Sequence, residues 1–437
     1  MESELPQRKV QVKNDAEDFY GWKLVAALWL LDFLNMGFPL YGGTIINTYM
    51  LRDVPMSRSL FGMATSLFNL AAGVPSILIA AVIMRLGVRA AFGIGSALLA
   101  LGSLWMALVA SQPWHYLLGF GVVIGCGIGF GTIVPLTTAL ARWFRRYRGR
   151  AMALAMTASG LAGFIGAPAL NQFLELNGGN WRQAWMVVAV IAIMSGLIAY
   201  IFVKERPEDL GQSVDGIPGH AADSLSNKES KLSTSYPWTP AEAYRTLPFW
   251  LLFIGSVACQ FPFFFLMAHW VLHLKGMGIS AANAAFAMGM LTLGSIGGRL
   301  LGGWLMDKVS ARFVFALGFV CYILGFLLAM GADKSVTAYV GAILLGTAFG
   351  GTFVALNASI ANFYGPAAFP RLLGMMLLIS AVACSPAGYL GGKIFDWHKN
   401  YAPAFVSLIV LCVTAIVALS FATMPQSKGL RESSEWK

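Results

Sequence analysis

Charge is what this sequence has least of. Asp, Glu, Lys and Arg make up 11% of its 437 residues, 57% are hydrophobic, and the mean hydropathy is +0.69. No water-soluble domain of this length is built on that balance. Cysteine is scarce too: Cys126, Cys259, Cys321, Cys384 and Cys412 all fall in apolar runs without metal-type spacing, so neither a disulfide framework nor a thiolate metal site is expected. The alternating segments of about ten residues that make a membrane β-barrel are missing. No Gly-x-x-x-x-Gly-Lys-Ser/Thr run exists to cradle nucleotide phosphates, and no nucleophile–base constellation is apparent. Neither an ATP-driven pump nor an enzyme is therefore expected, and no cofactor.

Long apolar runs are what is there. Twelve recur, at 22–49, 58–85, 89–111, 113–141, 150–175, 183–203, 248–274, 281–306, 312–331, 335–362, 371–395 and 402–423. Each is long enough for a helix crossing a hydrocarbon core about 30 Å thick. The first follows a polar segment and has no small-residue cleavage site, so it reads as a retained helix and not a signal peptide. If the N-terminus is inside, twenty-two Lys and Arg flank the runs on that side and seven on the other. That bias places both termini in the cytoplasm, for a multi-pass protein of the cytoplasmic (inner) membrane, and accounts for the net charge of +10 without nucleic acid.

The chain divides into a tail (1–20), a six-helix bundle (21–203), a polar linker (204–246), a second six-helix bundle (247–424) and a short tail (425–437). The halves echo each other: Arg85-Leu-Gly-Val-Arg89 follows the second run and Asp307-Lys-Val-Ser-Ala-Arg312 the eighth. Paired bundles around a central site are the architecture of a secondary transporter, an all-α membrane protein expected to work as a monomer. Small residues, as in Ser159-Gly-Leu-Ala-Gly163 and Gly294-Ser-Ile-Gly-Gly298, permit close helix approach.

Gly303, Asp307, Lys308 and Arg312 together resemble the loop signature of the major facilitator superfamily. More specific phrases resemble its microbial monocarboxylate-transporter-like and oxalate:formate-antiporter branch: Tyr20-Gly-Trp-Lys23, Ala141-Arg-Trp-Phe144 with Arg148-Gly149, Arg206-Pro-Glu-Asp-Leu-Gly211, His269-Trp-Val-Leu-His273 and Gly298-Arg-Leu-Leu-Gly-Gly-Trp304. The resemblance implies a two-bundle transporter of small carboxylates that alternates between inward-open and outward-open states. It also implies that the arginine of the eighth helix, Arg299, holds the substrate carboxylate, and it favours a cavity-facing His269. The sequence departs from the pattern at Ala80 and Met84, where glycine and aspartate are usual, and at Ser295, where relatives often carry Asp or Asn. The eleventh run has no mid-helix lysine, its Lys393 lying near the outer end.

The few buried charges carry the chemistry. Arg299 lies eight residues from Asp307, about 12 Å inside the membrane, too deep to snorkel. A charge there costs several kcal/mol unless it faces a cavity or a partner, so it marks a pathway; the alternative is a permanent interhelical ion pair. Its planar fork suits a carboxylate. Asp32, Asn35 and Pro39 share one face of the first helix. Asp32 reads either as the proton-coupling carboxylate, its protonation set by whether substrate occupies Arg299, or as a locally hydrogen-bonded acid. Tyr41, Asn35 and Ser295 are candidates to hydrogen-bond substrate, Tyr389 and Asn357 weaker ones; interhelical bonding is the competing role. His269 and His273 share a face, but no third metal ligand is evident. Asp307, Lys308, Arg312 and Arg142 read as a conformational latch on the cytoplasmic side, or as topology signals alone.

The leading expectation is a secondary transporter of a lactate- or pyruvate-like monocarboxylate moving with a proton, since one deep cation favours one carboxylate. The rivals are an oxalate:formate-type exchanger, whose partner is a counter-anion, and a non-transporting membrane sensor or scaffold.

Overall fold

The computed structural model describes residues 19–144, 147–216, 236, 238–306 and 308–425, which are helical with short connections. The membrane-crossing helices are α1 (Tyr20–Met50), α2, α3 (Val88–Leu108), α4 (Pro113–Trp143), α5 (Arg148–Leu176), α6 (Trp181–Phe202), α7 (Leu247–Gly276), α8 (Ala281–Met306), α9 (Ala311–Met330), α10 (Ser335–Gly365), α11 (Arg371–His398) and α12 (Ala402–Ser420). Among the described residues eleven are single apolar spans, and α2 makes twelve as two segments, Arg58–Gly73 and Leu78–Leu86, bent by 42°. Pro75 sits at the bend, because its ring removes a ladder donor and clashes with the preceding turn. With an even number of crossings, Tyr20 and Ser420 lie on one face, here the near face; the opposite one is the far face.

Proline breaks recur, and a side chain replaces the missing bond at two of them. Pro135 of α4 cannot donate to the carbonyl of Gly131, and Asn35 Nδ2 of α1 donates to that oxygen at 2.7 Å instead. Pro386 of α11 leaves the carbonyl of Val382 without its donor, and Ser385 Oγ fills it at 2.8 Å. These substitutions keep buried backbone acceptors satisfied where no water can reach them.

One large apolar core runs through both halves of the chain, from Ile45, Phe61 and Trp185 to Phe265, Trp270 and Phe319. A smaller one, around Phe19, Trp143 and Phe144, packs the near side of the first half. The halves meet most closely on the far side, where the first segment of α2 crosses α11, and midway along the spans, where α5 crosses α8. At the α2–α11 crossing, Gly62 lies on Gly388 and Gly392 on Arg58 so tightly that a Cβ at either glycine would strike the opposing carbonyl oxygen. Both carboxylate oxygens of Asp396, on α11, accept the first amides of α2, Arg58 N at 3.0 Å and Ser59 N at 2.9 Å. An acid at a helix N-terminus satisfies orphan donors and complements the dipole, and this one comes from the other half of the chain. The far face is closed.

Candidate functional site

Glycines place Arg299. Gly294, Gly298 and Gly302 set α8 flush against the backbone of α10, around Ile343, Thr347 and Gly351. The arginine is thereby carried to the opposite side, towards α5. Its Nη1 donates to the carbonyl of Met156 and to Ser159 Oγ, both at 3.3 Å. Its Nε is buried and has no partner. The permanent charge in the middle of the molecule is therefore held by neutral acceptors from the other half of the chain, with part of its fork unused.

The anion expected beside it is not in contact. Asp32 is 3% exposed, its Oδ1 is buried without a partner, and it makes no ion pair with Arg299 within 4.0 Å. The two form no standing ion pair and act on each other through space only. A desolvated cation and a desolvated carboxylate, each incompletely bonded, form an arrangement that a ligand could complete.

Tyr41 belongs to the same group. In α1 the helix widens over Gly37–Gly42 into a π turn, with Gly37 backed on Ala162 and Gly166 of α5. Such a turn commonly marks a functional position. Tyr41, 6% exposed, has no hydrogen bond to its hydroxyl and is acted on by both Arg299 and Asp32. Asp32, Tyr41 and Arg299 are therefore brought together, with Ser159 added from α5. Asn35 is diverted: its amide nitrogen completes the backbone of α4, and its Oδ1 is buried and unpaired. Ser295 is 4% exposed and lies where α10 comes closest, against Gly346 and Gly350.

His269 sits elsewhere. It is fully buried on the far side, with Nε2 2.7 Å from the carbonyl of Gly388 and Nδ1 3.0 Å from the hydroxyl of Tyr401. A carbonyl only accepts, so Nε2 carries the proton and Nδ1 accepts from Tyr401. Both nitrogens are thus engaged by protein, beside the α2–α11 crossing and at the start of α12, and the expectation of a cavity-facing His269 is corrected for this form. His273 Nε2 donates to the carbonyl of Ala329 at 2.8 Å, so the histidine pair is parted between two carbonyls. Among the described residues no cluster of metal-ligating side chains exists.

On the near face, Arg142 pairs with Glu205 at 2.8 Å. The same carboxylate accepts Val88 N and Arg89 N at 2.9 and 2.8 Å, capping α3. Arg312 Nε donates to the carbonyl of Ala422 at 3.0 Å, and Lys308 lies 3.8 Å over the ring of Trp304. Glu205 stands at the start of the linker, and neither its bonds nor those of Arg312 and Lys308 join one bundle to the other, so they brace the bundles individually. Asp307 lies outside the described residues. Glu205 and Ser159 were not legible as site residues; Glu205 stands directly before the Arg206-Pro-Glu-Asp phrase, the one hint of its place.

Residues 28–385 match the family model described as Major Facilitator Superfamily. The chain is 26% identical over 400 residues to monocarboxylate transporter 13 of Bos taurus, covering 89% of this chain and 85% of that protein. It is 25% identical over 350 residues to the oxalate:formate antiporter of Oxalobacter formigenes, covering 78% and 76%. Among solved structures, the nucleoside transporter NupG superposes with a TM-score of 0.69 at 16% identity, over 91% of this chain and 99% of that one. That last likeness concerns the fold.

Proposed function

This chain belongs to the Major Facilitator Superfamily and is a multi-pass membrane transporter, and from that premise we propose that it carries a small monocarboxylate, lactate- or pyruvate-like, together with a proton. The observation that carries this reading is Arg299. It is a permanent cation at mid-membrane, bonded only to neutral acceptors, with Nε unpaired and the free hydroxyl of Tyr41 and the carboxyl of Asp32 in its field. A planar carboxylate binds such a fork through two hydrogen bonds. One cation accommodates one negative charge.

Asp32 supplies the proton. A substrate anion on Arg299 neutralises the cation whose field Asp32 shares. Loading therefore draws a proton onto Asp32, and proton and anion cross as a neutral pair. The relatives named as monocarboxylate transporters and as an oxalate:formate antiporter support an anionic cargo. The two six-helix halves, 21–203 and 247–424, are the moving bodies, the protein acts as a monomer, and the Lys and Arg bias puts both termini in the cytoplasm of a cell bounded by its inner membrane.

The test is uptake of labelled lactate into proteoliposomes enclosing a pH-sensitive dye. Internal acidification in step with uptake, lost in Asp32→Asn, is the expected result. Uptake that requires an internal counter-anion and leaves the dye unchanged would replace symport by exchange.

A further inference from the structure

A second set of cations stands at the far face, away from Arg299. Arg52 in the α1–α2 connection, Arg58 at the start of α2 and Lys275 at the end of α7 line a cavity of 300 Å³ with Thr48, Leu272 and Gly276. Arg52 and Lys275 lie on the ring of Tyr49, at 4.9 and 5.0 Å from its centroid. Lys275 Nζ reaches Thr48 Oγ1 at 3.5 Å, and Arg58 Nη1 is buried without a partner. Like charges in one small cavity repel, and a carboxylate would ordinarily be placed among them.

None is. Among the described residues no acid forms an ion pair with any of the three within 4.0 Å. Three acids are near: Asp53 accepts Trp181 Nε1 at 2.7 Å, Asp396 caps α2 through backbone amides, and Glu175, on the other side of Tyr49, accepts Asn171 Nδ2 at 2.9 Å. The cations also come from both halves of the chain, Arg52 and Arg58 from the first and Lys275 from the second. Closing the far face is what brings them together.

We propose that Arg52, Arg58 and Lys275 bind a small inorganic oxyanion in the cavity between the halves, and that the bound anion holds the far face closed. Three cations favour a multiply charged oxyanion over a monocarboxylate, which separates this site from the central one. By linkage, a ligand that needs cations from both halves stabilises the conformer in which they meet and slows opening from that side.

Sulfate is the probe, titrated against thermal unfolding of the purified full-length protein at constant ionic strength. A saturable rise in unfolding temperature is expected, with apparent affinity roughly tenfold weaker in each of Arg52→Gln and Lys275→Gln, as loss of one charge-assisted contact implies. Lys275→Arg keeps the charge and should retain most of the affinity. Lys334→Gln, an exposed far-face cation outside the cavity, should change nothing, and Arg299→Gln should leave the sulfate response intact. Stabilisation that is equal in Arg52→Gln, Lys275→Gln and the parent would make it a general salt effect and overturn the site. So would its disappearance in Arg299→Gln, or lactate stabilising Arg299→Gln as strongly as sulfate does.

Discussion

Gly62→Ala is the substitution through which the closed far face can be tested. A Cβ at position 62 would lie inside the carbonyl group of Gly388 and 2.9 Å from His269 Nε2, closer than the 3.0 Å that real Cβ atoms keep. The obstacle is α11 backbone, which cannot turn aside as a side chain would, so α2 and α11 must separate. Overpacking of this kind costs about 1–3 kcal/mol. At about 1.4 kcal/mol per factor of ten, the closed conformer loses roughly 5- to 150-fold in population relative to the open one. Spin labels on cysteines at Asn177 and Lys334, exposed positions on the far side of each half, report the change as a longer inter-label distance. Gly93→Ala is the control: nothing lies within 4 Å of the added carbon, and the distance should not move. An unchanged distance in Gly62→Ala, with the protein folded, would refute the idea that this crossing sets the closed state.

Three further outcomes are expected. Asn35→Val leaves the Gly131 carbonyl unpaired beside Pro135 and should cost about 1–3 kcal/mol, read as a lower unfolding temperature. Glu205→Gln weakens the Arg142 pair and the α3 cap together, so it should cost more than Arg142→Gln, which removes the pair alone; equal losses by denaturant titration would contradict the shared-acceptor geometry. Asp32→Asn should abolish pH-driven lactate accumulation while leaving lactate–lactate counterflow within a few-fold, since the asparagine cannot release a proton but Arg299 is untouched.

Periodicity and composition carry the helices, because a lipid-crossing segment announces itself over twenty residues. The place of Arg299 within α8, well inside the span, is likewise legible from its spacing along the helix. What the chain order does not carry is partnership. Asn35 reads as a cavity residue until Pro135, a hundred positions later, is seen to vacate the acceptor that Asn35 fills. His269 reads as a cavity-facing residue until Gly388 and Tyr401 are seen on either side of its ring. The glycines of α11 look like generic packing residues, and only the crossing with α2 makes Gly388 and Gly392 contacts between the halves. Arg142 and Arg312 read as latch residues by their charge alone, whereas their partners, Glu205 at the start of the linker and the Ala422 carbonyl, do not join one bundle to the other.

The account stands or falls on how Arg299 recognises its anion. The most direct measurement is calorimetric titration of the purified transporter with lactate and pyruvate, in parallel with Arg299→Lys. Lysine keeps a cation on α8 but loses the planar fork, so the account predicts binding of at least one monocarboxylate by the parent and roughly ten- to a hundredfold weaker binding by Arg299→Lys, with loss of one charge-assisted bond. A monocarboxylate that binds both proteins equally well would contradict it.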